Sequence, residues 1–229
     1  MPAAGIGKRM QAALPKQYLR LNDEPVLQHC LQRLLDIPRV AGLAVAVRDD
    51  DAHWQGIRLN TDKPMVVAQG GAERCASVLN ALQSLQQQPL FDAGQDWVLV
   101  HDAVRPCVRH ADIEHLIDAV GTDQAGGLLA LPVRDTLKRQ HDNARVAQTV
   151  EREGLWQAQT PQLFPWLALH QALLTAQQQA VLFTDESSAM EAAGYAPLLV
   201  EGSADNIKIT RPEDIGLAEL YLDAQQKAL

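Results

Sequence analysis

Short, unbroken apolar runs recur along the chain: Leu43–Val47, Met65–Ala68, Trp97–Val100 and Leu128–Val133. Runs of this length, with no polar alternation, predict strands buried on both faces, as in a parallel sheet. Between them, apolar residues return every three or four positions. Leu27, Cys30, Leu31, Leu34 and Leu35 form one helical face that opens near Pro25. Val78, Leu79, Leu82 and Leu85 form a second after Glu73, and Ile113, Leu116, Ile117 and Val120 a third. Strand and helix in alternation predict an α/β fold: a Rossmann-like, doubly wound, mostly parallel sheet covered on both faces.

One segment breaks the alternation. Arg134–Asp135–Thr136–Leu137–Lys138–Arg139 and Arg145–Val146–Ala147–Gln148–Thr149–Val150–Glu151–Arg152 flank a polar turn at His141–Asp142–Asn143. The pattern predicts a hairpin too polar for a core. A two-stranded ribbon is marginal alone in water. Residues 134–152 are therefore expected to form a β-arm that packs on a partner, on an otherwise single domain spanning 1–229. Helical patterns return at Leu167–Leu174, at Ser187–Ala193 and after Asp214, where Thr210 is placed to cap and Pro212 to start the helix. The glutamine runs Gln86–Gln88 and Gln177–Gln179 read as solvated helix ends.

Composition narrows the class. At 229 residues, 47% hydrophobic and 21% charged, the chain suits one sizeable folded domain. A net charge of −8 argues against nucleic acid or an anionic membrane as a partner. Cys30, Cys75 and Cys107 are far apart and lack CxxC spacing, so free thiols in a reducing compartment are expected. The start shows no basic region followed by an apolar run, and stretches such as 126–133 are too short to span a bilayer. The expected location is the cytoplasm.

The chemistry is concentrated at loops. Gly5 and Gly7, beside the small Ala3 and Ala4, let backbone amides curve around phosphate oxygens. Arg9 and Lys16 add positive charge a few residues on, Lys16 within Pro15–Lys16–Gln17–Tyr18. A Gly-x-Gly loop alone reads as an ordinary turn; the loop, the arginine and Pro-Lys-Gln together are far more specific. No Gly-Lys-Ser/Thr follows, which excludes a Walker A loop, and Met10 stands where a dinucleotide fingerprint needs glycine. Asp102 lies at the C-terminal end of the run Val98–Val100, where open α/β sheets place ligands. Beside a phosphate loop it becomes a candidate Mg²⁺ ligand, with triphosphate supplying further oxygens. Arg105 is placed to brace it.

The segments PAAGIGKRM, PKQYL, GGAERCASV, VLVHDAVRP, RDTLK, LWQAQTPQ, TDESSA and EGSADNIKITRPEDI occur in that order. Together they make the chain resemble the 2-C-methyl-D-erythritol 4-phosphate cytidylyltransferase family of the non-mevalonate isoprenoid pathway. The resemblance implies transfer of CMP from CTP to methylerythritol phosphate with Mg²⁺, in a homodimer that exchanges its β-arm. It implies that Pro2, Ala3, Ala4 and Gly5 line the CTP site and that Gly71 and Ser77 read the cytosine. Arg9 and Lys16 would stabilise the transition state, and Asp102 would hold Mg²⁺. Thr160, Thr184, Asp185 and Lys208 would bind the polyol phosphate, with Thr136 and Arg152 reaching in from the partner's arm.

Each residue also has a plainer reading. Ser77 outside its context is an exposed helix serine, Thr160 shapes a turn before Pro161, Thr184 caps a helix, and Lys208 is a solvated strand lysine. His101 reads as a packed strand-end residue and Asp205 as a second carboxylate on the metal side. Ala72 stands where the family often has an acidic residue. The rival functions are ribitol 5-phosphate cytidylyltransferase, another sugar-phosphate nucleotidyltransferase, and a non-catalytic nucleotide-binding module. A buried strand should also lead into the glycine loop. Only Met1 precedes Pro2, so that first strand is expected to be missing before residue 1, by truncation or a late start codon, with a loss of stability and activity.

Overall fold

The computed structural model describes residues 1–5, 14–89 and 91–227. In chain order its elements are β1 (Arg20–Leu21), β2 (Glu24–Pro25), α1 (Val26–Leu35), β3 (Leu43–Val47), β4 (Met65–Gln69), α2 (Arg74–Gln86), β5 (Trp97–Val100), α3 (His110–Val120), β6 (Gly127–Pro132), β7 (Leu137–Gln140), β8 (Val146–Val150), β9 (Trp156–Pro165), α4 (Trp166–Gln178), α5 (Glu186–Ala192), β10 (Leu198–Glu201) and α6 (Glu213–Lys227). The apolar runs of the sequence are β3, β4, β5 and β6, and the three helical faces are α1, α2 and α3.

β3 and β4 pair in parallel, and a second sheet runs in the order β10-β6-β9-β5. There β10 lies parallel to β6, while β9 is antiparallel to both β6 and β5. Helices cover both faces. Leu27 and Leu31 of α1, Leu116 of α3 and Ala218 of α6 pack on Val45, Val47 and Leu129. Leu79 of α2, Leu169 of α4 and Met190 of α5 pack on Val98, Val100 and Phe164. Alternate residues of one strand thus serve opposite layers: Val45 and Val47 face the first, Ala44 and Ala46 the α2 side.

The chain start joins this framework. Ala3 N donates to Ala46 O at 2.8 Å, and Ala46 N donates to Met1 O at 2.9 Å, placing Pro2 opposite Ala46 in parallel sense. Beyond Met1, a cleft of about 510 Å³ separates β3 from β5, lined by Leu43, Val66, Leu82, Val98, Ile117 and Leu163 among others. Among the described residues, the cleft side of β5 meets no strand.

Four local expectations need correction. β9 was not legible as a strand, because Gln159, Thr160 and Gln162 interrupt it; all three are buried and hydrogen-bonded. Thr160 therefore belongs to a core strand rather than to a turn. Lys208 lies in a loop after β10, not on a strand. The last helix starts at Glu213, and its N-terminal bonds run the other way: the Asp214 carboxylate accepts from Thr210 N, Thr210 Oγ1 and Arg211 N. The helix α5 is capped by Asp185, whose side chain accepts from Ser188 N, and not by Thr184.

β7 and β8 pair as an antiparallel hairpin around a turn at Asp142–Ala144, with side chains exposed along most of both strands. Cys30 and Cys107 are buried free thiols, and Cys75 is half-buried and free.

Candidate active site

Asp102 follows the end of β5 and is nearly buried. Three cations converge on its carboxylate. Arg74 Nε donates to Oδ1 at 3.1 Å, Lys208 Nζ lies 2.8 Å from Oδ2, and Arg105 Nε lies 3.7 Å from Oδ2. Burial alone would raise the carboxyl pKa, but Arg74, Lys208 and Arg105 outweigh it and hold Asp102 well below the usual carboxylate range. Asp102 therefore stays anionic.

The backbone here is fixed from beneath. Asp102 N donates to Thr160 Oγ1 at 3.0 Å, and Thr160 Oγ1 lies 3.0 Å from His101 Nδ1. His101 Nε2 lies 3.0 Å from the carbonyl of Arg105. A carbonyl only accepts, so Nε2 carries the proton and Nδ1 accepts from the threonine hydroxyl. Burial lowers the His101 pKa to about 4, keeping the ring neutral. His101 is thus the packed strand-end residue the sequence indicated, and it orients Thr160.

Two glycine-containing loops stand next to each other beside this cluster. Gln17 Nε2 donates to Ala3 O at 2.8 Å, so the glutamine of Pro-Lys-Gln ties down the first loop. Gly70 N donates to Val47 O at 2.6 Å, and a Cβ at Gly70 would overlap that of Ala4. A Cβ at Gly71 would come within 2.5 Å of Ala76 Cβ, so the tight approach requires glycine there too. Gly71 N donates to Ser77 Oγ at 3.0 Å. Ser77 is buried, which overturns its plainer reading as an exposed helix serine. Lys16 opens the short turn Lys16–Tyr18. Arg9 lies outside the described residues.

A second group of the candidate residues lies on α5 and the loop after β10. The Asp185 carboxylate accepts from Gln162 Nε2 at 2.9 Å, Ser187 Oγ at 3.0 Å and Ser188 N at 3.1 Å. Burial would raise its pKa, yet these bonds lower it. Thr184 beside it is exposed. Asn206 Nδ2 donates to Thr160 O at 2.9 Å, and Arg105 Nη1 donates to Asn206 O at 2.7 Å, linking the Lys208 loop to β9. The Asp205 carboxylate accepts from Arg109 Nη2 at 2.7 Å and from Gln225 Nε2 at 2.9 Å. Thr136 and Arg152 stand exposed on the arm, where Arg152 donates to the carbonyl of Arg134.

The structure thus joins Asp102, Lys208 and Thr160 directly. Arg74 and Glu186 were missed. Each is the first residue of a helix and reads in sequence as a solvated terminal charge, yet they pair across the fold. Only tertiary contact reveals them.

Among the described residues, no group of three or more His, Cys, Asp or Glu is arranged to hold a metal ion. No described helix is long and apolar enough to cross a membrane.

Residues 1–224 match the family model described as 2-C-methyl-D-erythritol 4-phosphate cytidylyltransferase. A protein of that name from Pseudomonas putida strain GB-1 is 51% identical over 215 residues, covering 94% of this chain and 91% of the relative. Another from Aliivibrio fischeri strain MJ11 is 47% identical over 227 residues, covering 99% and 94%. Among solved structures, the Francisella tularensis enzyme of that name superposes with a TM-score of 0.80 at 36% identity, covering 96% of both chains. A 4-diphosphocytidyl-2C-methyl-D-erythritol synthase superposes with a TM-score of 0.81 at 38% identity, covering 91% of this chain and 94% of that one.

Proposed function

Because the chain belongs to the 2-C-methyl-D-erythritol 4-phosphate cytidylyltransferase family, we propose that the cluster around Asp102 is where its two substrates meet. The chain is a nucleotidyltransferase that moves CMP from CTP to 2-C-methyl-D-erythritol 4-phosphate and releases pyrophosphate, in isoprenoid precursor biosynthesis. The observation that carries the site reading is the convergence of Arg74, Arg105 and Lys208 on one buried carboxylate, whose own backbone N–H is held by the Thr160 hydroxyl.

In the reaction, a phosphate oxygen of the acceptor attacks the α-phosphorus of CTP. The bond from that phosphorus to the bridging oxygen breaks, and pyrophosphate leaves with the electron pair. The nucleophile is already anionic, so no strong base is required. The obstacle is repulsion between two polyanions, and fixed cations remove it. Pro2, Ala3, Ala4 and Gly5 cradle the triphosphate, with Arg9 and Lys16 meeting the charge that grows in the transition state. Gly71 and Ser77 exchange their mutual hydrogen bond for bonds to cytosine. Lys208 and Arg152 of the partner subunit position the attacking phosphate, while Thr160, Thr184, Asp185 and Thr136 of the partner subunit hold the polyol. The exposed arm, residues 134–152, supports a homodimer in which each arm completes the neighbouring site.

Asp102 suits Mg²⁺: it offers a hard anionic oxygen, and a Mg²⁺ ion commonly takes one or two carboxylates, with substrate phosphates and water completing its shell. When bound, Mg²⁺ would neutralise charge on the triphosphate and the departing pyrophosphate. A cytoplasmic location is part of this reading; the chain is acidic, and no described helix is long and apolar enough to cross a membrane.

The test is pyrophosphate release with CTP, Mg²⁺ and methylerythritol phosphate. Release with that acceptor, and far less with ribitol 5-phosphate or with UTP, supports the reading. Preference for ribitol 5-phosphate would establish the sister activity, and CTP binding without release would establish a non-catalytic module.

A further inference from the structure

Arg74 and Glu186 form a part-buried ion pair in the cluster that the mechanism leaves unused. Arg74 Nη1 and Nη2 donate to Glu186 Oε1 and Oε2 at 2.5 and 2.9 Å, a fork-on-fork pair. The remaining Nε donates to Asp102 Oδ1 at 3.1 Å. One guanidinium thus spans two carboxylates, and Glu186 is 1% exposed.

We propose that Arg74 and Glu186 are positioning residues for the cation at Asp102: Glu186 fixes the guanidinium, which takes Oδ1, so that the metal would meet Oδ2, the oxygen on which Lys208 Nζ rests at 2.8 Å. The inference rests on the reading of Asp102 as the metal-side ligand. Glu186 takes two of the guanidinium's donors and so sets the angle at which the third meets Oδ1. Geometry explains why the cation is arginine: a planar fork holds three directed bonds, whereas a lysine ammonium is a point charge.

The placement also couples the parts of the site. Arg74 begins α2, just past the Gly70–Gly71 loop, with Ser77 on its next turn. Glu186 begins α5, directly after Asp185. The pair therefore ties the base-reading loop and the acceptor segment to the same carboxylate. Residues that orient a metal ligand from behind typically govern about 10–100-fold in metal affinity.

The test is CTP binding by titration calorimetry, once in EDTA and once in excess Mg²⁺, with the ratio of the two affinities as the readout. Unliganded melting temperature is measured alongside. Arg74→Lys and Glu186→Asp keep both charges in the buried pocket and so preserve the fold. Each is expected to lower the Mg²⁺ ratio about tenfold or more, with affinity in EDTA nearly unchanged. The double variant Arg74→Gln/Glu186→Gln leaves no unpaired buried charge and should show the same loss. Variants that melt lower yet keep the wild-type ratio would overturn the inference and leave a purely structural pair. Asp102→Asn separates the two claims. If it abolishes the ratio while the Arg74 and Glu186 variants do not, the positioning inference alone fails. If it keeps the ratio, the reading of Asp102 fails.

Discussion

Lys208 Nζ sits 2.8 Å from Asp102 Oδ2, so the cation assigned to the acceptor phosphate rests on the carboxylate assigned to the metal. On the proposed reading the Lys208 ammonium and Mg²⁺ would share this one oxygen, and an ammonium released from Oδ2 would be free to meet the second substrate. Lys208→Ala removes the acceptor's partner and unburdens Asp102. Turnover should fall about 10²–10³-fold, the usual loss for one transition-state donor, while the Mg²⁺ concentration for half-maximal activity does not rise. Arg74 and Arg105 still pair Asp102, so the fold should hold. Steady-state kinetics across a Mg²⁺ series decides it. A marked rise in the Mg²⁺ requirement would mean that Lys208 helps to bind the metal.

The arm gives a prediction about assembly. Thr136 and Arg152 lie on an exposed hairpin, and Lys16 beside the nucleotide loop. If each arm completes a neighbouring site, mixing Arg152→Ala with Lys16→Ala protein places both defects in one site of the heterodimer and neither in the other. With random exchange, two-fold symmetry leaves about a quarter of all sites intact. Activity should recover towards that level, read by pyrophosphate release after subunit exchange is shown by mass spectrometry. Exchange without recovery would reject the shared site.

What the sequence disclosed follows from how each signal is encoded. The runs at 43–47, 65–68 and 97–100 are continuous apolar stretches, so the sequence pattern found them; β3 is buried on both faces as expected, whereas β4 buries only Ala68 and exposes Val67. β9 is a core strand whose polar residues are satisfied by distant partners, such as Gln162 with Asp185. No local pattern announces that. The same holds for Arg74, whose partners Asp102 and Glu186 lie 28 and 112 positions away. Asp102 was legible as a candidate because strand ends in such sheets are ligand positions whatever the partners. The glycine loop and Pro-Lys-Gln were legible as types, whereas the role of Gln17 in holding Ala3 needed the fold.

His101 sets a pH dependence. Its pKa falls from 6.5 to about 4 through burial, so the folded state declines a proton that the unfolded chain accepts. This contribution is present above pH 6.5 and is lost as pH drops from about 6.5 to about 4. At about 1.4 kcal/mol per unit of pKa, the loss is about 3 kcal/mol. The ring itself reports the effect. In ¹³C-histidine spectra the His101 signal should remain that of the neutral Nε2–H tautomer at pH 5.5. A midpoint near 6.5 would show that the ring is not buried against Thr160.

The cleft between β3 and β5 gives the last prediction. Leu43 and Ala44 line one side of it and Val98, Leu99 and Val100 the other. Residues 1–3 already run parallel to β3, and the amino group of Met1 donates to Ala44 O at 2.6 Å, within the cleft's own lining. A strand leading into Met1 in the same direction would therefore pass along Leu43 on one side and the open edge of β5 on the other. It would be enclosed on both faces, so it should be a continuous run of Val, Ile and Leu rather than an alternating one. Each such side chain is worth about 1.5–3 kcal/mol when fully buried, set against about 1–2 kcal/mol of backbone entropy per residue ordered. The bonds to the open edge of β5 add to the favourable side. A variant carrying eight to twelve added residues, about five of them an apolar strand, should gain at least about 2 kcal/mol. At this chain length that is a melting temperature higher by about 4–8 °C. CTP turnover should rise with it, because the added strand holds the loop of Ala3, Ala4 and Gly5 from its upstream side. An extension of equal length built from Gly and Ser controls for length and should give neither gain. Equal melting temperatures for the apolar and Gly/Ser forms would show that the cleft does not accept a strand, and that β3 and β5 are stable with those edges open.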